Sequence, residues 1–529
     1  MSLPIERPVS HHTLRLWFAR GVVLFLLIVA AIWGVSIRAE LWTQTAPARF
    51  TFDIANALRQ GDNVLADTKL DTPAWSEVLH AYVGRYEVIA TEMKTDGRAD
   101  LDYPPLRLLI ATLWAYHSRD AEGPGGYSDD RAYFMLRINF VCEALALIGV
   151  LVLVRVWLRK TGASAMRAEC TAAVCGVLFF LNPALLQNAH SWPQWDVWLA
   201  PFFIWAAVCM VLNVPILAGA LLIVGSMMKG QLLLVLPMFA LWALFRGRWF
   251  GDWKSLISLI AGIAFGGAIL LSPWLVPSLA AGACVLVCSA IACVFVWLTH
   301  RRLVRLSWRT FVAIVALAFA SFVLLASHQF GGSWAWLTVG FPTSRYKTMS
   351  MGPLHNLPSL LAQNWGWRLN MPFAAVGLEM PMRQWLIHSY TVCLVIVGIG
   401  VARCDARRNA SLFVGLVAPW VLLFALLPQM HERYLVWAAM FSILLVAAHP
   451  TLIIVHVLLT LQSISMTSNT QLGSSGQQNI VGPQWWGVIE RIGPGAGWLT
   501  LSIALLLLVL SLGVNISSPT KKDEVKPIV

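Results

Sequence analysis

Charged residues are scarce in this chain. Asp, Glu, Lys and Arg make up only 12% of its 529 residues, against about 25% in an ordinary soluble domain. So little charge excludes a cytosolic enzyme, a disordered chain and a coiled coil. Hydrophobic residues make up 58%, and they come in blocks of roughly 18 to 25, long enough to cross a bilayer core of about 30 Å as helices. The composition therefore predicts a polytopic helical membrane protein.

Sequence motifs typical of soluble chemistry are also missing. There is no Gly-rich phosphate loop and no Rossmann or P-loop fingerprint, so a soluble nucleotide sugar is not expected as a substrate. The nine cysteines form neither a disulfide framework nor a zinc pattern. No spacing of carboxylates specifies an ion, and we therefore predict no metal and no cofactor. The net charge of +12 indicates membrane orientation and does not indicate a nucleic-acid partner.

The hydrophobic runs predict an all-α membrane fold with about fourteen transmembrane helices. The predicted helices are 21–37, 132–157, 170–187, 196–212, 214–228, 231–246, 254–272, 277–299, 309–327, 385–402, 410–427, 434–448, 451–466 and 495–514. The apolar run 105–116 is too short to span, and we predict an interfacial or re-entrant helix there.

The distribution of basic residues predicts the orientation of these helices. With both termini cytoplasmic, the named cytoplasmic segments hold 19 Lys and Arg against 6 Asp and Glu, as the positive-inside rule requires. Spanning by 105–116 would instead carry the basic segments 300–309 and 401–409 across the membrane. We therefore expect the large loops 38–131 and 328–384 to be extracytoplasmic.

Ionisable groups inside or at the ends of apolar spans are functional candidates, because burying them in a membrane is costly. On the predicted topology they share the outer face, and they mix carboxylates with cations, as expected for an anionic ligand handled by acid/base chemistry. These candidates are Asp53, Asp100, Asp102, Tyr103, Arg137, Asp196, Lys229, Arg345, Lys347, His431, Glu432 and Arg433.

Short motifs surround many of these residues. In order they are FDIANALRQ (52–60), LDYPPL (101–106), AYFMLRINFV (132–141), HSWPQWD (190–196), SMMKGQLLLVLP (226–237) and PQMHERYL (428–435). This ordered set resembles the motifs of the dolichyl-phosphate-glucose-dependent glucosyltransferases of the N-glycan precursor pathway. The same motifs occur in bacterial relatives in the wider GT-C class of polyprenyl-phosphate-sugar glycosyltransferases. Trp192, Pro193, Trp195 and Asp196 stand where the eukaryotic enzymes have His, Phe, Tyr and Asn, which leaves the sugar and the acceptor open. The first loop has no acidic pair beside Asp53, which argues against the protein O-mannosyltransferase branch.

The resemblance implies a GT-C fold and a division of the chain. A cytoplasmic N-terminus (1–20) precedes a GT-C module (21–250) that includes loop 38–131. A second helical module (251–515) includes loop 328–384, and a cytoplasmic tail (516–529) follows. The implied reaction is transfer of one hexose, with inversion, from a polyprenyl- or dolichyl-phosphate donor to a hydroxyl of a lipid-linked or cell-envelope glycan. Glucose is favoured and mannose is the alternative. The implied location is the plasma membrane of a prokaryote or the endoplasmic reticulum membrane of a eukaryote.

Such a reaction needs charge neutralisation at the phosphate and a base for the incoming hydroxyl. Asp53 is the candidate base, although an Asp there also suits a helix N-cap. The candidate phosphate-binding residues are His431, Lys229, Arg433 and Arg345. The candidate substrate-binding residues are Asp102, Tyr103, Trp195, Asp196, Glu432 and Arg137. Snorkelling would explain Lys229 without a ligand, and loop architecture before Pro-Pro would explain Asp102 and Tyr103.

Two other functions account for many helices with buried charges. A transporter or lipid flippase needs no catalyst, but it favours internal repeats or broken helices in both halves, and no clear repeat is present. A ligase or polymerase that joins lipid-linked glycans would also have a large outer loop with a base and cations. Sugar transfer with release of polyprenyl phosphate would identify a glycosyltransferase, whereas transport without bond cleavage would identify a transporter or flippase.

Overall fold

The computed structural model of the chain describes residues 11–45, 52–68, 74–96, 103–122, 129–246, 252–270, 294, 337, 339, 355–375, 377–428, 430–475 and 486–513. Helices dominate these residues. In the first half they are α1 (His11–Thr45), α2 (Phe52–Ala66), α3 (Trp75–Asp96), α4 (Pro105–Glu122), α5 (Asp129–Lys160), α6 (Ala165–Phe180), α7 (Pro183–Leu186), α8 (Ala200–Val211), α9 (Pro215–Met228), α10 (Gln231–Phe245) and α11 (Trp253–Leu270).

The described residues of the second half are also helical, apart from one hairpin. Its helices are α12 (Leu357–Trp365), α13 (Met382–Ala406), α14 (Leu412–Leu426), α15 (Leu435–Phe441), α16 (Leu444–Ala448), α17 (Ile453–Ser475) and α18 (Trp486–Ser511). Short 3-10 turns, Glu432–Tyr434 and Pro450–Leu452, precede α15 and α17. Strands β1 (Pro372–Ala375) and β2 (Leu378–Pro381) pair antiparallel.

The described residues confirm the mainly α-helical structure that the sequence predicts. Most of each predicted helix that falls within the described residues is helical, although 170–187 is interrupted at Leu181 and Asn182. The predicted helices 277–299, apart from residue 294, and 309–327 lie outside the described residues. Five helical segments are long and apolar enough to cross a membrane: Arg20–Thr43, Tyr133–Lys160, Ala165–Ser191, Met382–Ala406 and Pro450–Ser468. Shorter apolar helices accompany them. These helices are compatible with a multi-pass integral membrane protein; the number of spans and their orientation stay predictions.

Close helix packing relies on glycine where backbones meet. A Cβ at Gly219 of α9 would overlap the carbonyl oxygen of Leu259, and one at Gly262 of α11 would overlap that of Ile216. Small residues are common at membrane helix contacts because they let backbones approach closely. The α9–α11 contact is therefore specified by these two glycines.

Helices α8 and α10 separate the two ends of the bundle. Helix α8 begins four residues after Asp196 and ends at Val211, and α10 begins two residues after Lys229 and ends just before Arg246. At 1.5 Å per residue such helices are about 18–22 Å long. The Asp196 and Lys229 end and the Val211 and Arg246 end are therefore well separated.

The described residues of loop 38–131 that follow α1 include three packed helices, α2, α3 and α4. Burial raises the pKa of Tyr82 and Tyr86 well above the ordinary value, so both phenols stay protonated and can donate. Tyr82 donates to the carbonyl of Pro105 (2.7 Å) and Tyr86 to that of Tyr103 (2.7 Å). Helix α3 therefore holds the start of α4 in place.

Three local features depart from the sequence prediction. The loop 328–384 contains the β1–β2 hairpin, whose turn places Gly377 at φ +75, a conformation that favours glycine. The predicted helix 434–448 is interrupted at Ser442, whose hydroxyl donates to the carbonyl of Ala439. Helix α1 is longer at both ends than the predicted span 21–37.

Candidate functional site

The candidate site is built around an irregular segment between α7 and α8, here called the site loop (187–199). It opens with a π-helical turn, Gln187–Ser191, and closes with a 3-10 turn, Trp195–Leu199. A π-helical turn is rare and is often found at functional positions. Between the two turns the backbone at Gln194 is extended, and this places Trp195 and Asp196 at the inside of the bundle.

Asn139 of α5 fixes the shape of the site loop. Its side-chain amide donates to the carbonyls of Ala189 (2.7 Å) and Gln194 (3.1 Å). Its side-chain oxygen accepts from the indole N–H of Trp198 at 2.6 Å. One buried amide thus satisfies three groups at both turns of the loop, which gives the irregular backbone a defined conformation.

Asp196 lies at the centre of the site with a 0% exposed surface. The ammonium of Lys229 donates to Asp196 Oδ1. The other carboxylate oxygen, Oδ2, accepts from Asn188 Nδ2 at 3.2 Å and lies 3.8 Å from Arg433 Nε. Lys229 itself is only 4% exposed, so the pair is buried rather than snorkelling to solvent.

The local sequence explains how Lys229 reaches this place. Helix α9 ends at Met228 and α10 begins at Gln231, and Lys229 has extended backbone angles between them. The two helices thus meet at a break that turns the lysine side chain inward. A buried cation at such a break is a functional candidate in a membrane protein.

Aromatic rings line one side of the Asp196–Lys229 pair. Tyr434 and Trp437 stack with centroids 4.5 Å apart, and Lys229 Nζ lies 5.4 and 5.5 Å from their centroids. The indole N–H of Trp437 donates to the backbone carbonyl of Asp196 at 3.1 Å. Cation–π contacts in a desolvated place stabilise the ammonium.

A further cation lies on the other side of the loop. The guanidinium of Arg107 on α4 is 3.8 Å from the Tyr103 ring centroid and 4.2 Å from that of Trp195. Tyr103 and Trp195 meet edge to face at 5.7 Å, and the Tyr103 hydroxyl accepts from Asn56 Nδ2 of α2 at 3.1 Å. The first loop and the site loop therefore share one aromatic contact.

Several polar atoms of the site loop are buried without a hydrogen-bond partner among the described residues. They are both side-chain amide atoms of Gln194, the indole N–H of Trp195 and the side-chain oxygen of Asn188. Buried polar groups in native proteins are almost always paired. These atoms offer two donors and two acceptors to a polar ligand or to bound water.

The structure brings together many of the predicted site residues. Tyr103, Trp195, Asp196, Lys229 and Arg433 meet in the cluster just described. His431 and Glu432 lie at its edge: His431 Nδ1 is 4.0 Å from Glu432 Oε2, and the His431 ring meets the Tyr434 ring edge to face at 5.3 Å.

Other predicted residues stay apart or fall outside the description. Asp53 is the second residue of α2, and its side chain lies outside the described residues. Asp102 and Arg345 also lie outside them. Arg137 is exposed on α5, and the neighbouring Asn139, which the sequence prediction overlooked, reaches the site loop instead. Counting along the helix from buried Met135 and Leu136 would have favoured position 139 over 137.

Sequence reasoning also missed Arg107, Asn188 and Trp437. Arg107 follows the LDYPPL segment directly, and Trp437 lies two residues beyond PQMHERYL, so both were close to motifs already identified. Among the described residues, no group of three or more His, Cys, Asp or Glu side chains could hold a metal ion.

Comparison with known proteins finds no family model that matches the chain and no curated protein that matches it. The site itself combines cations around one carboxylate, aromatic walls, and polar atoms of the site loop that have no partner among the described residues. That combination suits an anionic ligand that also carries hydroxyl groups.

Proposed function

We propose that the protein is a membrane glycosyltransferase of the GT-C type with about fourteen transmembrane helices. It transfers one hexose, with inversion, from a polyprenyl- or dolichyl-phosphate sugar to a hydroxyl of a lipid-linked or envelope glycan. The reaction takes place at the extracytoplasmic or lumenal face. Its partners are the lipid-phosphate donor, the glycan acceptor and the surrounding membrane lipids.

The observation that carries the proposal is the cation surplus around Asp196. Lys229 contacts its carboxylate directly, and Arg433 lies 3.8 Å from it. Arg107 adds a further cation on the Tyr103 side. In a buried place such an excess of positive charge favours an anion, because charge-assisted hydrogen bonds to phosphate are strong there. A lipid phosphate delivers that anion to a site at one end of an apolar helix bundle.

The chemistry requires little else from the protein. In the sugar phosphodiester the bond from the anomeric carbon to the phosphate oxygen breaks, and the lipid phosphate leaves with the electron pair. The acceptor oxygen forms the new bond from the opposite face, and its proton passes to a carboxylate base. We assign the base to Asp53. Asp196 is engaged by Lys229 and Asn188, so its role is that of a counter-ion which orders the cations.

The aromatic and amide groups of the site loop would then contact the sugar. The Trp195 ring is buried against Arg107 and Tyr103, so its contribution is the unpartnered indole N–H, and Gln194 and Asn188 carry further unpartnered polar atoms. These donors and acceptors complement the hydroxyl groups of a sugar.

An assay of the purified protein with short-chain polyprenyl-phosphate glucose, mannose and galactose tests the proposal. We expect one donor to lose its sugar to an added lipid-linked or envelope glycan, with release of polyprenyl phosphate. Lipid or sugar translocation in proteoliposomes without any bond cleavage would contradict the proposal and favour a transporter or flippase. Transfer of a whole glycan chain would instead favour a ligase or polymerase.

A further inference from the structure

Helix α1 is attached to the bundle by two separate ionic contacts. Much of its surface is apolar and exposed, as suits a helix that faces lipid. Near one end Arg20 donates to both carboxylate oxygens of Glu169, at 2.8 and 3.0 Å. Near the other end Arg38, only 1% exposed, enters the bundle. Arg20 contacts a partly buried carboxylate, whereas Arg38 contacts a fully buried one.

The Arg38 contact is a buried network. Arg38 donates to Glu143 Oε2 (2.7 Å) and to the carbonyls of Gly34 and Phe180 (2.9 Å each). The second oxygen of Glu143 lies 2.8 Å from His190 Nε2. Glu143 and His190 are both 0% exposed. Ionisable groups buried in this way within a membrane are expected to have a specific role.

The hydrogen bonds define which nitrogen of His190 carries the proton. Trp42 of α1 donates its indole N–H to His190 Nδ1 at 2.9 Å, and an indole can only donate. Nδ1 must therefore accept, and Nε2 carries the hydrogen that is donated to Glu143. One oxygen of the Glu143 carboxylate thus accepts a hydrogen bond from Arg38 of α1, and the other accepts one from His190 of the site loop.

This network connects helix α1 to the site loop. His190 belongs to the π-helical turn of the site loop and stands six residues before Asp196. We propose that Glu143 is a positioning residue that, through His190, Arg38 and Trp42, holds the site loop in register with α1. The consequence for catalysis rests on the proposed function, whereas the mechanical link does not.

Hydrogen exchange of the full-length protein tests the mechanical link without any substrate. Trp42→Phe keeps the ring but removes the donor to His190, and Glu143→Gln removes the carboxylate. We expect both variants to exchange faster in the site loop (187–199), while Arg20→Gln, which breaks the other ionic contact of α1, leaves exchange in that loop unchanged. Faster exchange confined to α1 in Trp42→Phe would overturn the proposal, and so would equal effects of Arg20→Gln at the site loop. If Glu143→Gln does not fold, Trp42→Phe alone decides.

Kinetics test the consequence for the reaction. A shift of about 1 Å in a reacting group can lower turnover about 100-fold, so we expect Trp42→Phe to lower kcat by about 10- to 100-fold with little change in the donor KM. Trp33→Phe, at an exposed position of the same helix, should behave as the unmodified protein. An unchanged kcat in Trp42→Phe would overturn the catalytic consequence. If no donor supports transfer by the unmodified protein, the proposed function fails, and the exchange experiment still decides the link.

Discussion

The two ends of the helix bundle each bury a carboxylate beside a cation and a tryptophan, yet they differ in everything around that pair. At one end Asp405 lies 2.6 Å from Arg246 Nε and accepts from the indole of Trp242 at 2.9 Å. At the other end Asp196 contacts Lys229, and its backbone carbonyl accepts from the indole of Trp437. Because the two ion pairs are alike, any difference in function between the two ends must come from the groups around them.

The surroundings of Asp405 are closed by the chain itself. Arg246 also donates to the Asn213 side chain (3.1 Å) and to the carbonyl of Val211 (3.5 Å), and Lys160 donates to the same carbonyl. Arg246 and Lys160 there donate to acceptors of the chain itself. At this end the ion pair connects helices, and the described residues offer no evident contact for a ligand.

The surroundings of Asp196 contain further cations, together with polar atoms that the described residues do not fully pair. Arg433 and Arg107 add positive charge, and polar atoms of Gln194 and Trp195 have no partner among the described residues. A buried ion pair by itself is weak evidence for either stability or function. The comparison teaches that the unsatisfied groups next to the pair, rather than the pair, indicate a ligand.

The largest expected effect is that of Asp53→Asn. If Asp53 is the base, this variant should lower turnover by about 100- to 10,000-fold while donor binding persists, because general-base catalysis is typically worth that much. Asp67→Asn is the matched control: Asp67 lies just after α2 and pairs with Arg85 at 3.7 Å. An Asp53→Asn variant with the rate of the unmodified protein would remove Asp53 from the mechanism.

The next effect compares the two ends directly, with Lys229→Met and Arg246→Met. Removing one partner of a buried ion pair costs about 3–5 kcal/mol of stability, so both variants should melt earlier. Loss of a charged contact to a ligand is worth about 1.5–3 kcal/mol, or about 10- to 150-fold, so only Lys229→Met should raise the donor KM or lower turnover. Equal kinetics in the two variants would mean that the ends do not differ in function.

A smaller effect is expected at the edge of the cluster. The His431 side chain is 36% exposed, and we expect His431→Ala to weaken donor use by about 10-fold, the lower end of the range for a charged hydrogen bond. Combined with Lys229→Ala, its effect should be less than additive, because groups that share a ligand are coupled. His388→Ala, at an exposed position of α13, is the control. Strict additivity would place His431 outside the phosphate contact.

The smallest effect belongs to the scaffold of the first loop. Tyr86→Phe removes only the hydroxyl that donates to the Tyr103 carbonyl, and a hydrogen bond of this kind contributes about 0.5–1.5 kcal/mol. Thermal unfolding should detect that loss, with kinetics within about twofold of the unmodified protein. A large kinetic defect without a stability loss would show that the DYPP segment does more than support the site.

The positions of the helices could be predicted from the sequence because lipid imposes a simple rule. Long apolar blocks become helices, and those predicted within the described residues are helical. The rule says nothing about a hairpin such as β1–β2 or the π-helical turn Gln187–Ser191, because these depend on turns and tertiary hydrogen bonds.

The site could be predicted only in part, for a related reason. Lys229 and Asp196 were identifiable because ionisable groups are rare in apolar sequence. Their mutual contact was not, because 33 residues separate them along the chain. Glu143 and Asn139 escaped notice inside a long helix, where only their partners on other elements reveal what they do. The role of Asp53 stays a prediction.

Binding of the lipid phosphate tests the central claim most directly. A ligand that binds only the folded state raises the melting temperature, by the equivalent of about 2.7 kcal/mol at 100 times its Kd. With a short-chain polyprenyl phosphate as the probe, we expect the melting temperature to rise by the same amount for the unmodified protein and for Arg246→Met. For Lys229→Met we expect a clearly smaller rise, equivalent to about 0.3–1.4 kcal/mol at the same ligand concentration, because its Kd should be about 10- to 150-fold weaker. A rise in Lys229→Met equal to that of the unmodified protein would contradict the assignment of the Asp196–Lys229 cluster as the phosphate site.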